Sequence, residues 1–293
     1  DYHGGEPGEN NLPVTVYDYS TDVANLTFHQ EGQYFIYTPT TASADYSVHF
    51  SYRTVDSLGA VSESAGVTID VRVVRPFGSG EVCQFRDQDG TLVRLHILNG
   101  SANLHFNGED VSYEQRGRWT FVSGESLDLA QIELTDSNEF TKLVIGAAGG
   151  DDHLATIGGI SGKSAGWIIA PRVVLGGDGL QLSGDLRYAR FHAVQDADVA
   201  VRGDLQRIIV NTLESGSIEV GGDVSHYVWL RNVRQSGVRV QGDMRQAYVH
   251  TFDESALSVS GSVLSHVSIY RAFSGSHVAV GVSAGEDDQF FTE

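Results

Sequence analysis

The chain is poor in the residues that staple, break or anchor structure. Of 293 residues one is cysteine, Cys83, so no internal disulfide can form and stability must come from packing. One methionine, Met244, accompanies it, and so low a sulfur content suits a protein exposed to oxidants. No apolar run reaches the 18 residues expected of a membrane-spanning helix, which excludes that kind of span. Basic residues are half as many as acidic ones, 19 against 38, for a net charge of −19. Phosphate binding needs cationic surface, so a nucleic-acid partner is excluded. Lys142 and Lys163 are the only lysines, so the positive charge is nearly all arginine. A phosphate loop, a His-x-x-x-His pair and a convincing Ser/His/Asp order are also missing.

What is present points to an all-β protein. There are 34 glycines, and few segments carry a helical apolar period. Residues 1–11, polar, acidic and Gly-rich, are expected to form an N-terminal arm. Residues 12–75 alternate apolar and polar in five runs, "VTVYDY", "NLTFHQ", "QYFIYTP", "YSVHFSYRTV" and "GVTIDVRVV", which predict a small antiparallel β-sandwich. Residues 81–150 hold further strands and are read as a β cap and the first solenoid turns.

From about Ile160 the chain repeats. Leu180-x-Leu182-x-Gly184-Asp185-Leu186 recurs as Val199-x-Val201-x-Gly203-Asp204-Leu205, Ile218-x-Val220-x-Gly222-Asp223-Val224 and Val238-x-Val240-x-Gly242-Asp243-Met244. Leu257-x-Val259-x-Gly261-Ser262-Val263 and a degenerate Val278-x-Val280 continue the series. A fixed period near 19 with one such unit per turn predicts a parallel β-helix (solenoid) of seven or eight turns over residues 151–285, closed by an acidic tail, 286–293. One turn cannot bury its own apolar side, whereas stacked turns about 4.8 Å apart bury continuous columns. The glycines are expected where a Cβ would clash at a corner, and the aspartates as turn residues.

The stretch "EGQYFIYTPTTASADYSVHFSYRTVDSLGAVSESAGVTIDVRVV", with Gly32, Tyr34, Tyr37, Thr38 and Pro39, resembles cadherin-like and Ig-like modules of large bacterial surface proteins. The repeat segment, and the strand "FRDQDGTLVRLHILNG" before it, resemble the β-helical regions that come after such modules in those proteins. The resemblance implies a structural or adhesive protein of the bacterial cell surface, extracellular and without enzymatic activity.

Alternation along the strand after each corner yields an outward set of fifteen residues. Eleven are Tyr, Trp, Arg or His: Tyr188, Arg190, His192, Arg207, Tyr227, Trp229, Arg231, Tyr248, His250, His266 and Tyr270. None of the fifteen is Asp or Glu. One extra residue before Val228 predicts a bulge beside His226 and Tyr227. Such a wall can be a stabilising ladder of side-chain pairs, or a recognition surface built from the residue types of interface hot spots. Charge complementarity favours an acidic partner. The chain's own residues 1–75 carry ten acids against Arg53, Arg72 and Arg75, so copies of the chain could associate head to tail into a filament or surface layer. An acidic glycan is the alternative, and a polysaccharide lyase using Tyr227, Arg231 and His250 a further one. A glycosidase would need paired carboxylates on this face. Asp87 and Asp89, with Asp151, Asp152 and Asp178 in Gly-rich stretches, are candidate Ca²⁺ ligands.

Overall fold

The structure is a computed structural model, and it describes residues 15–21, 26–29, 34–38, 46–71 and 75–281. The expected arm and acidic tail lie outside the described residues. The chain divides into two compact units, Asp1–Val73 and Val74–Glu293. Every element described is a strand, as the composition predicts.

The first unit holds the five expected strands: β1 (Thr15–Thr21), β2 (Leu26–His29), β3 (Tyr34–Tyr37), β4 (Tyr46–Val55) and β5 (Ala65–Val71). They form an antiparallel sheet in the order β1-β4-β5 and an antiparallel β2-β3 hairpin. The two sheets meet through aromatic rings, since the alternating pattern places one large apolar side chain every second residue. Phe35 of the hairpin lies 4.8 Å from Phe50 and 5.6 Å from Tyr19, centroid to centroid. Val48 and Phe50 are the buried residues of this small core.

The second unit begins with antiparallel structure. Its strands are β6 (Arg75–Phe77), β7 (Val82–Arg86), β8 (Leu92–Leu98), β9 (Ser101–Arg116), β10 (Trp119–Asp136) and β11 (Lys142–Ala148). β7 pairs with β8, and β9 with β10, antiparallel. Phe77, Phe85, Phe106 and Leu129 are buried there, so this layer closes one end of the solenoid. β7 already pairs in parallel with the start of β10, and parallel stacking continues where β10 meets β12 (Ala155–Gly162) and β11 meets β13 (Ala165–Leu182). Long strands then alternate with short ones. The long strands are β14 (Leu186–Gln195), β16 (Leu205–Glu214), β18 (Val224–Arg234), β20 (Met244–Asp253) and β22 (Val263–Ala272). The short ones are β15 (Asp198–Val201), β17 (Ser217–Val220), β19 (Gly237–Val240), β21 (Ala256–Val259) and β23 (His277–Val280). The parallel β-solenoid has about six turns. Seven or eight were expected, and part of 81–150, read as the first turns, forms antiparallel hairpins instead.

Stacking follows the repeat. Leu180, Val199, Ile218, Val238, Leu257 and Val278 stand in register, one per turn. All but Val278 are fully buried. Leu182, Val201, Val220, Val240 and Val259 form the neighbouring buried column. Each long strand then bends. Two outward residues in succession, such as Asn211-Thr212 and Arg231-Asn232, interrupt the alternation, and Val194, Leu213, Val233 and Phe252 turn inward on a third face.

The corners explain the Gly-Asp pair. Asp204, Asp223, Asp243 and Ser262 each donate a backbone N–H to the aspartate one turn below, at 2.8, 2.9, 2.8 and 2.7 Å. The accepting oxygens are Oδ1 of Asp185, Asp204, Asp223 and Asp243. That carboxylate fills the space a Cβ would need at Gly203, Gly222, Gly242 and Gly261. The aspartates thus form a ladder along the solenoid, with each turn capping the next.

Candidate functional site

Three columns of side chains cover the first face of the long strands. The first runs Tyr188, Arg207, Tyr227, with Tyr188 paired to Arg207 and Arg207 to Tyr227 in register. Gln246 and His266 continue it. The second runs Arg190, Ile209, Trp229, Tyr248, Ser268. His192, Asn211, Arg231, His250 and Tyr270 stand at the bend and form the third. None of the eleven expected wall residues is buried, while their strand neighbours Leu186, Ala189, Leu205, Ile208, Val210 and Val228 are. Burial on alternate positions is what aims the others outward.

The wall residues touch one another. The Arg207 guanidinium lies 4.5 Å from the centroid of Tyr188, one turn below. Tyr227 meets Tyr248 edge-on at 6.4 Å, and Tyr248 meets His266 edge-on at 5.0 Å. His250 stacks on Tyr270 at 5.0 Å. Tyr227 stands in the first column, and Arg231 and His250 in the third. The bulge in β18 falls between Val224 and Val228, as its extra residue predicts. It opens a hollow of 230 Å³ lined by His226, Tyr227, Arg245 and Gln246. β22 carries a second bulge, between Val263 and His266.

Sequence reasoning missed the lower end of the wall. Lys142 and Trp167 stand in register below Tyr188, so the first column is two rungs longer. Arg187 lies 5.2 Å from the Phe140 ring and 5.9 Å from the Trp167 ring, and it pairs with Glu139. The signal was the Lys142-x-Val144 and Trp167-x-Ile169 alternation, hidden because those turns lack the Gly-Asp corner.

The candidate metal residues occupy other loops. Thr91 donates its backbone N–H to Asp87 Oδ1 and Asp89 Oδ1, at 2.8 and 2.9 Å. The two carboxyls also hydrogen-bond each other. Burial, then that bond and the Asp89 charge, raise Asp87 to about 7. The same bond from Asp87, then the Thr91 donors, hold Asp89 well below the usual carboxylate range. The pair therefore shares one proton near neutrality. The loop of Asp151 packs against it, since a Cβ at Gly150 would meet Thr91 and Asp89. Asp152 caps the Leu154 N–H at 2.8 Å, and Asp178 lies exposed on β13. Among the described residues no group of three or more His, Cys, Asp or Glu is placed to hold a metal ion.

The short-strand face is different in character. Two adjoining hollows, of 440 and 770 Å³, share Glu219, Arg239 and Ser258. Glu219 and Arg239 face each other across one rung at 3.7 Å. Among the described residues no helix is long and apolar enough to cross a membrane. Comparison with known protein families, curated proteins and solved structures finds no match to this chain.

Proposed function

We propose that the chain is a structural or adhesive protein of the bacterial cell surface, and that copies of it associate head to tail through the Arg- and aromatic-rich wall. One observation carries this reading. Fifteen outward positions on five successive turns hold no carboxylate, in a chain with 38 acidic residues. A half-exposed face of Tyr, Trp and Arg is the composition that concentrates binding energy at interfaces. Residues 1–75, with ten acids and three arginines, supply a complementary surface on the next copy. Contact between two different surfaces of one protein is heterologous and builds open filaments. The antiparallel module ahead of the solenoid, which resembles cadherin-like and Ig-like spacers, suits an extended extracellular assembly.

Negative-stain electron microscopy of the full chain tests the reading. Wild type should form fibres or arrays, and the variant Trp229→Ala/Arg231→Ala should stay dispersed with its β circular-dichroism signal intact. A variant that assembles as wild type does would overturn it. An acidic glycan is the second reading, favoured because Arg190, Arg207 and Arg231 make no ion pair among the described residues. Titration calorimetry with a uronate polymer separates the two. Binding that Trp229→Ala/Arg231→Ala abolishes, by a wild type that does not assemble, would transfer the wall to the glycan.

A further inference from the structure

The wall is one part of a longer face. Trp119, at the start of β10, pairs in register with Val82, Val82 with His96, and His96 with Val144. Val144 pairs with Ile169 and Ile169 with Arg190, so the row enters the second column of the wall without a break. At the far edge Arg116 opposes Trp119. From Arg116 to Ser268 the row crosses eleven strands, and its ten steps of about 4.8 Å make it about 48 Å long. No residue in it is Asp or Glu. Glu114 and Glu139, which border the face, are held by Arg116 and Arg187.

The cap half of this face repeats the chemistry of the wall. Trp119 stacks on Phe121 at 6.2 Å, and the Arg94 guanidinium lies 5.9 Å from the Trp119 ring. All three tryptophans of the chain, Trp119, Trp167 and Trp229, stand on this face, and none is buried. Tryptophan is well buried on average, so a merely solvated surface gives no reason to gather all three. Among the described residues Arg94, Lys142, Arg190, Arg207 and Arg231 make no ion pair. Five such cations along about 48 Å amount to one every ~10 Å. A nucleic-acid strand carries a charge every ~3.4 Å and would meet a chain of net charge −19 with most of its phosphates unmatched. A polysaccharide charged on alternate sugars has the sparser spacing. Its sugar rings turn apolar C–H faces to aromatic rings, and its acid groups accept from guanidinium.

We propose that the whole face binds a linear acidic polysaccharide that lies along the solenoid, anchored at Trp119 and Arg94 in the cap as well as at Trp229 and Arg231 in the wall. The proposal rests on the glycan reading of the wall. Head-to-tail contact between copies claims only the five turns from Tyr188 to Tyr270, whereas a straight row of eleven strands suits a straight, extended ligand. Two anchors on one chain act together, so a ligand that reaches both is held more tightly than one that reaches either.

Titration of the full chain with hyaluronan oligomers of graded length, in which every second sugar is a uronate, tests this. Affinity should climb with length and level off once an oligomer spans the seven steps, about 34 Å, from Trp119 to Trp229. Trp119→Ala/Arg94→Ala should weaken long oligomers about tenfold and leave those too short to reach both anchors within about twofold. Circular dichroism and melting temperature should not change. If Trp119→Ala perturbs the cap, Arg94→Ala alone, at an exposed position, should show the same length-selective loss. Long oligomers that ignore the cap substitutions but are lost on Trp229→Ala/Arg231→Ala would leave the glycan reading standing and overturn the proposal. A wild type that binds no oligomer would overturn both, and one that assembles without binding any would give the face to a protein partner.

Discussion

The Asp ladder predicts a specific coupling between a glycine and the aspartate one turn below it. Gly222 has no left-handed backbone angle, so conformational freedom is not why it is glycine. A Cβ there would lie well under 3.0 Å from Asp204 Oδ1, and at 3.0 Å from the Gly203 carbonyl carbon and oxygen. The carboxylate is therefore the main obstacle. Gly222→Ala forces it off its 2.9 Å bond to the Asp223 N–H or strains the corner. Overpacking of this kind costs about 2 kcal/mol. Asp204→Ala removes the acceptor from an exposed N–H and costs about 1 kcal/mol, as a lost cap does. Were the two independent, the double variant would lose about 3 kcal/mol. Since Asp204→Ala removes the obstacle, the double variant should lose only about 2 kcal/mol, a coupling of about 1 kcal/mol. Denaturant unfolding followed by tryptophan fluorescence reads this cleanly. Trp119, Trp167 and Trp229 all lie in the second unit, so the signal reports the solenoid. Gly237→Ala is the control, because nothing lies within 4 Å of its added Cβ. Strict additivity of Gly222→Ala and Asp204→Ala would refute the steric account of the corner.

Other parts of the fold predict differently signed effects. At the second corner of each turn Asp196, Ser215, Gln235 and Glu254 hold left-handed φ values of 48°, 52°, 47° and 45°. Ser215→Gly should raise stability by about 0.5 kcal/mol, the relief of that strain less the freedom glycine adds to the unfolded chain; a fall on thermal melting would contradict it. The Asp87–Asp89 pair makes the cap pH-sensitive. Between the ordinary aspartate value near 3.9 and about 7 the folded pair keeps a proton that the unfolded chain has lost, so stability falls as pH rises through that window. Below it the unfolded chain takes up two protons and the folded pair fewer, so stability falls there as well. Asp87→Asn should flatten the upper slope in melting curves taken from about pH 4 to 8, a range that spans the window. An unchanged slope would remove the pair as its cause.

The sequence was most legible where one position performs one task in every turn. The inward columns are apolar in all copies, so their register could be written down from the spacing alone. The third face was not legible, because the bend sets two outward residues side by side and period-two alternation fails at Asn211-Thr212 and His250-Thr251. The long β9–β10 hairpin was hidden for a related reason. Gly108, Asp110, Gly124 and Ser126 are residue types that favour turns, yet the strands pass through them with bulges. Asp110 and Ser126 take left-handed angles to do so. The corner at 162–165 is one residue shorter than the rest and carries Ser164 in place of aspartate. Ser164 Oγ still accepts the Asp185 N–H at 3.1 Å, so the ladder begins one turn earlier than its motif. Among the wall residues, outward aim was legible from alternation. Mutual contacts such as Arg207 over Tyr188 were not, because they depend on rotamers.

Parallel stacking sets the charges of one column close together, and apart from the hydrogen-bonded aspartates of the corner the faces relieve this in different ways. Equivalent positions in successive turns lie about 4.8 Å apart, so like charges in one column repel. On the third face the chain alternates sign. Glu214, Arg234 and Asp253 stand in register, with Arg234 3.8 Å from Glu214. On the short-strand face Glu219 and Arg239 are neighbours in register in the same way. The wall could have used the same device, since acids are abundant. Instead Arg207 lies between Tyr188 and Tyr227, and Arg190 lies below Ile209. Repulsion is avoided with neutral and aromatic neighbours, and the guanidiniums keep their charge toward solvent. Exposed ion pairs contribute little to stability, about 0–1 kcal/mol, so omitting them here costs the fold almost nothing. Contacts such as Arg207 over Tyr188 stabilise the wall without carboxylates, but in a chain of net charge −19 the absence of carboxylates from all fifteen outward positions is the feature that the proposed partner would explain.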